Sequence, residues 1–315
     1  MTRPAVTALG GGHGLAASLE ALRLITERVT AVVTVADDGG SSGRLRRELG
    51  VLPPGDLRMA LAALCDDSEW GHLWRDVLQH RFAGDGEVGG HALGNLLITS
   101  LWDLLGDPVE GLDMVGRLLG SRGRVLPMAS VPLDITATVL GADPDDPDEV
   151  SEVRGQVEVA TTVGRVLNLR LLPEDPPARR EAVEAVHEAD WVVLGPGSWF
   201  TSVMPHLLVP ELREALISTK AQRLLTMNLL LNTGETEGFS AADHLEVLEA
   251  HAPDLRLDVV LADPAELEDG GEALRSVAKG MGAEVVIAHI ADQEQAGRHD
   301  TLRLAAAYRD IMDRS

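Results

Sequence analysis

The stretch TAVVTVADDGGSSGRLRRELGVLPPGDLR, residues 30–58, decides the fold. Residues 30–35 carry no charge and are mostly β-branched, the pattern of a strand buried on both faces. The chain then breaks into Asp37-Asp38-Gly39-Gly40-Ser41-Ser42-Gly43, with a helix expected from Arg44. Three glycines let backbone N–H groups turn inward, and two hydroxyls add short donors and acceptors. Such a loop between strand and helix is shaped to hold an anion such as a phosphate. The two carboxylates, Asp37 and Asp38, suit it if they hold a metal such as Mg²⁺, a ribose hydroxyl or a transferable proton. A solvated Gly/Ser surface turn is the plainer alternative, and the acids beside the glycines favour a functional site over it.

Working outward, a strand over 5–9 runs into Gly10-Gly11-Gly12-His13-Gly14 and a helix over 15–24. Strand, glycine turn, helix and strand make a βαβ unit, which implies a right-handed crossover and a parallel sheet. Residues 12–17 satisfy GxGxxA, and Asp37 lies near the end of the second strand. That is the dinucleotide-binding fingerprint with its ribose-binding acid. Beyond the central stretch, helices are expected over 57–64 and 70–79, with Asp56 as the N-cap of the first. Arg58, one turn inside, could face a ligand or a surface acid. A glycine-rich loop over 83–90 leads to His91 and Asn95 at the mouth of an apolar helix, 96–105, where a helix dipole favours an anionic ligand; a capping role for His91 is the alternative.

Between residues 124 and 172 the period changes to short alternating segments, VLPMA, DITATVL, EVRGQVEV and RVLNLRLL. They predict an antiparallel β excursion inserted in a doubly wound, mainly parallel Rossmann-like α/β domain covering 1–315. From residue 178 the βα rhythm resumes, with strands over 191–194, 223–227, 258–261 and 284–287 and a closing helix over 301–312. The strand ends carry Gly195, Gly197, Ser198 and Ser202, then Asn228, and Arg298 precedes the last helix. Open parallel sheets bind ligands at such carboxyl ends, and the convergence of these loops outweighs any single motif.

The chain has 315 residues, 45% of them hydrophobic, and a net charge of −23. No basic block is present to neutralise phosphates, so a nucleic-acid partner is not expected. Cys65 is the only cysteine, in an apolar context that suits buried filler, and it fits a reducing cytoplasm. No apolar run approaches the roughly 20 residues of a membrane span, and the first segment is too short for a secretory signal. Lysine occurs only at 220 and 279, which excludes a GxxxxGK[ST] loop and leaves phosphate recognition to backbone, arginine or metal.

Taken in order, GGGHGL (10–15), ADDGGSSGRLR (36–46), PPGDLR (53–58), GGHALGNL (89–96), LGPGSWFTSVMPHLL (194–208), NTGET (232–236) and RHD (298–300) resemble the CofD/YvcK-like family, in its gluconeogenesis-factor branch. The resemblance implies a Rossmann-like fold with its ligand at the carboxyl rim. One branch of the family comprises 2-phospho-L-lactate transferases, which move a phospholactyl group from a nucleotide-activated donor to a deazaflavin with magnesium. The branch most similar to this chain is associated with cell shape and envelope synthesis under gluconeogenic growth, and with sensing UDP-sugars rather than turning them over. The chain departs from the family pattern at His13, where a threonine is usual, and at Leu231 and Asn232. A family aromatic before Gly282 is replaced by Val277 or Ala278.

Four functions compete. The first is a cytoplasmic, homodimeric regulatory binder of a UDP-sugar, with the glycine loops on the diphosphate, Arg298 as a charged clamp, Asp37 or Asp38 on hydroxyls, and Asn228 or Asn95 on base or sugar edges. The second is a phospholactate-type transferase with Asp37 and Asp38 as the Mg²⁺ ligands and catalytic acids; a deazaflavin platform sits poorly with 3% aromatic residues. The third is an NAD-binding oxidoreductase, for which no proton-transfer constellation is visible. The fourth is a serine hydrolase, because residues 39–43 satisfy GxSxG; the acids before the turn fit phosphate better. A non-catalytic binder is the expectation carried forward.

Overall fold

The computed structural model describes residues 3–232, 234–267 and 270–314, so Thr233 of the NTGET stretch lies outside the described residues. The first unit is β1 (Val6–Gly10), α1 (Gly12–Leu22) and β2 (Val29–Val33). Four helices follow: α2 (Gly40–Leu49), α3 (Gly55–Ala63), α4 (Glu69–Gln79) and α5 (Leu93–Leu105). Helix α6 (Pro108–Leu119) then leads to β3 (Arg124–Pro127). The excursion comprises β4 (Asp134–Leu140), β5 (Val150–Arg154), the short helix α7 (Gln156–Ala160) and β6 (Arg165–Leu172). The chain returns through α8 (Arg180–Glu188) to β7 (Trp191–Leu194), then α9 (Pro205–Leu208), α10 (Pro210–Ser218) and β8 (Gln222–Thr226). It closes with α11 (Ala241–His251), β9 (Val259–Ala262), α12 (Glu272–Gly280), β10 (Glu284–Ile287) and α13 (Thr301–Met312).

Seven strands form a parallel sheet in the order β10-β9-β8-β7-β1-β2-β3. The strands of its centre, β1 and β7, are buried along their whole length, so helices cover both faces and alternation is absent. The chain winds outward from β1 through β2 to β3, then restarts at β7 on the other side of β1 and winds to β10. The order therefore reverses between β1 and β7, and a crevice opens at their carboxyl ends. Tyr308 of α13 ties this half together from inside: its buried hydroxyl meets Ser18 Oγ of α1 at 2.9 Å and Thr226 Oγ1 of β8 at 3.0 Å.

The doubly wound fold is as expected, and three local boundaries move. VLPMA supplies β3, a parallel edge strand in register with β2 (Thr30 opposite Arg124), so the antiparallel sheet, in order β5-β4-β6, begins only at Asp134. EVRGQVEV splits into strand β5 and helix α7, because the Asp38 carboxylate accepts the Gln156 and Val157 amides at 2.9 and 3.2 Å and caps a helix there. Gly40, Ser41 and Ser42 are the first turn of α2 rather than a loop before it, and α3 starts at Gly55 with Pro54 as its N-cap, which releases Asp56 from capping.

Candidate functional site

The crevice between β1 and β7 widens into a cavity of about 640 Å³. The β1–α1 turn supplies Gly11, Gly12, His13 and Gly14 to its wall, and α1 starts at Gly12, whose amide donates to the Asp56 carboxylate. The β7 loop supplies Gly197, Ser198 and Ser202. These two loops touch: a Cβ on Gly14 would lie 2.3 Å from the Pro196 carbonyl oxygen, so only glycine permits the approach. Asn228 after β8, Arg298 before α13 and Asp37 after β2 complete the set of expected residues that share this cavity. Arg298 donates to Gln295 Oε1 at 3.0 Å and enters no ion pair among the described residues, which leaves its charge for the cavity.

Other expected residues stand elsewhere. Gly40, Ser41, Ser42, Arg58 and Asn95 line a second, smaller cavity of about 190 Å³, whose wall also contains Asp37 and Asp56. His91 stands behind Ser41, its Nδ1 2.9 Å from Ser41 Oγ. Gly195 lines neither cavity; it forms the turn at the end of β7, with φ +70°. Asp38 reaches the large cavity only through α7, whose first residue, Gln156, is in the wall. Of the two acids expected to hold a metal, Asp37 lines the large cavity together with Asp56, while Asp38 is engaged by the amides of α7.

Sequence reading missed Glu20, Asp56, Gln156 and His299, all in the wall of the large cavity. Asp56 was legible inside PPGDLR but was assigned to a helix cap; His299 sat beside Arg298 in RHD. Burial, and secondly the Asp37 charge, push the Asp56 carboxyl up to about 7, against the pull of the Gly12 amide and Arg58. Burial also raises Asp37, opposed by hydrogen bonds from the Ser42 hydroxyl and the Gly39 amide. Burial holds His299 down to about 4, so it faces the site as neutral imidazole. Two adjacent carboxyls disfavoured as anions can hold one proton, accept ligand hydroxyls, or share a cation that a ligand phosphate brings. No group of three metal-ligating side chains occurs among the described residues, so a cation here would rest on this pair and on the ligand.

The family model described as "2-phospho-L-lactate transferase CofD" matches residues 6–301. The chain belongs to the CofD family. It is 55% identical over 307 residues to the "Putative gluconeogenesis factor" of Mycobacterium tuberculosis (strain ATCC 25618 / H37Rv), covering 96% of this chain and 88% of that protein. It is 35% identical to the "Gluconeogenesis factor" of Bacillus subtilis (strain 168), with 98% of each chain covered. Among solved structures, the crystal structure of a member of the UPF0052 family from Bacillus halodurans superposes with a TM-score of 0.83 at 33% identity, over 98% of this chain and 99% of that one. The α/β fold described above thus matches that of the Bacillus halodurans structure over nearly the whole of both chains. No described helix is long and apolar enough to cross a membrane.

Proposed function

We propose that the large cavity binds the diphosphate of a nucleotide sugar, a UDP-sugar by family resemblance, and that the chain is a regulatory binder serving envelope synthesis and cell shape under gluconeogenic growth. The observation that carries this reading is the glycine-lined start of α1 at Gly11 and Gly12, sharing one cavity with Asp56 and with the Arg298 guanidinium, which forms no ion pair among the described residues. Free amides at a helix N-terminus hold one phosphate and a guanidinium holds the next. Ser198 and Ser202 add hydroxyls, while Asp37 and Asp56 accept from ribose or sugar. At about 640 Å³ the space is of the size that small-molecule sites have. A homodimer in the cytoplasm remains part of this proposal, and light scattering of the purified chain tests the subunit count.

Calorimetry with UDP-N-acetylglucosamine, UDP-glucose, NAD and GDP decides the ligand. Heat with a UDP-sugar and none with NAD supports the reading; no heat with either UDP-sugar at millimolar concentration removes it.

The Asp37–Asp56 pair favours a second reading, a Mg²⁺-dependent transferase acting on a nucleotide-diphosphate donor. The pair fits a cation that takes one or two carboxylates plus phosphate oxygens. Bound there, Mg²⁺ would neutralise charge on the departing phosphate. Against it, no Phe, Tyr or Trp lines the large cavity among the described residues, which leaves a flat deazaflavin without an aromatic partner. A phosphodiester product formed from donor, acceptor and Mg²⁺ would reverse this ranking.

A further inference from the structure

The smaller cavity lies across Asp37 and Asp56 from the large one and is built differently. Its centre is Arg58, only 4% exposed. The Arg58 Nε donates to Asn95 Oδ1 at 2.9 Å, Asn95 Nδ2 donates to Ser41 Oγ at 3.0 Å, and Ser41 Oγ meets His91 Nδ1 at 2.9 Å. This relay fixes the guanidinium plane from behind. The stem of Arg58 packs against Gly94, where a Cβ would come within 2.8 Å of Arg58 Cδ, so α5 leaves room for it. The two terminal nitrogens of Arg58 take no hydrogen bond and no ion pair among the described residues, and the residue lines the cavity. An unpaired buried guanidinium is costly, and a fold that orients one so fully retains it for a ligand.

Three further features face the same space. Arg81 is in its wall, steadied by a 3.0 Å bond from Nη1 to the Gly90 carbonyl, and its charge is, after burial, a cause of the lowering of Arg58 to about 10. The first turn of the ten-residue helix α2, Gly40 to Ser42, opens on it with no side-chain cap. Asp37 and Asp56 form the wall opposite; both are shifted toward their neutral forms, whereas Arg58, at about 10, stays charged at neutral pH. A volume of about 190 Å³ is several times the roughly 30 Å³ share of one water, enough for a phosphate with a short carbon chain but not for a nucleotide.

We propose that this cavity is a second anion site, which takes the phosphate or carboxylate of a compact metabolite between Arg58, Arg81 and the first turn of α2. It goes beyond the nucleotide-sugar reading and does not depend on it. Two guanidiniums at one oxyanion give bidentate recognition that lysine cannot reproduce.

The test is calorimetric titration of inorganic phosphate, and separately of acetate, into the full chain and three variants. Arg81→Ala removes a partly solvated side chain without disturbing the core, and Arg58→Lys keeps the buried charge but loses the fork. Both are expected to weaken by about tenfold or more, as loss of a charge-assisted bond does, the phosphate binding that persists in Arg298→Ala, a background in which the clamp of the large cavity is gone. Tighter phosphate than acetate assigns a phosphate monoester, and the reverse assigns a carboxylate. Absence of heat with both anions, or an isotherm indifferent to Arg81→Ala and Arg58→Lys, overturns the proposal. UDP-N-acetylglucosamine titrated into Arg81→Ala separates the two readings: its failure in every form of the protein sinks the nucleotide-sugar site and leaves the anion site standing on the phosphate data.

Discussion

The two cavities on either side of Asp37 and Asp56 are built by opposite means. The large one is walled in good part by backbone: glycine turns after β1 and β7 and the start of α1, with one solvated arginine. The small one is walled by side chains, with a guanidinium held by a relay through Asn95, Ser41 and His91. Backbone sites depend on how closely two loops approach, since amides move only with the chain. Side-chain sites depend on a network whose members fail together. Substitutions should therefore separate the two regions by what they damage.

The sharpest break is Gly14→Val. With a Cβ directed at the Pro196 carbonyl 2.3 Å away, the first two loops must part. Stability should fall by about 3 kcal/mol, in the range of forced overpacking, and UDP-sugar heat should vanish while phosphate binding at Arg58 persists. Chemical unfolding and the two titrations check both halves.

Asp56→Asn tests the shared wall. Its folded pKa of about 7 lies above its ordinary 3.8, so the stability linked to this group is fully present below about pH 3.8 and is lost as pH rises through 7. The amide removes that loss, and at pH 8 the variant should be more stable by on the order of 3 kcal/mol, the gap closing toward pH 4. Thermal unfolding across that window shows it; a variant equally destabilised at every pH would mean that Asp56 is held as an anion.

Arg298→Ala should lower UDP-sugar affinity by about 2 kcal/mol, the worth of a charge-assisted contact, with thermal unfolding unchanged because the side chain packs on nothing buried. Asp38→Ala, by contrast, should cost about 1 kcal/mol of stability as the α7 cap is lost, with only a small change in binding through Gln156. The smallest expected effect is none: a fluorophosphonate should not label Ser41. Its hydroxyl is 5% exposed and already engaged by His91 and Asn95, and no carboxylate forms an ion pair with His91 among the described residues. Labelling would recast the small cavity as a nucleophilic site.

Much of this molecule was readable from residue order alone. The βαβ opening, the carboxyl-rim loops and the antiparallel excursion, though not its start after β3, follow from local chemistry: uncharged β-branched runs, glycine turns and alternating segments. That Gly11 to Gly14, Gly197, Ser198 and Asn228 would share one cavity followed from glycine or polar residues at strand ends, and Arg298 from its place before the last helix. Asp56 was misread since a capping residue and a pocket carboxylate have the same local signature beside a Pro-Pro-Gly turn; only the position of Gly12 across the fold distinguishes them. The contacts of Asp38 were out of reach for the same kind of reason, as its partners, the amides of α7, lie 118 and 119 residues further on.

Local pattern thus determined the strands, their parallel sense and which small and polar residues stand at their carboxyl ends, because hydrophobic period and turn chemistry act over a few residues. The partition into two cavities was decided by tertiary structure alone. Which carboxylate pairs with which, and whether a guanidinium is left without a counter-ion, are properties of distances between segments remote in sequence, and burial then sets the charge each group carries.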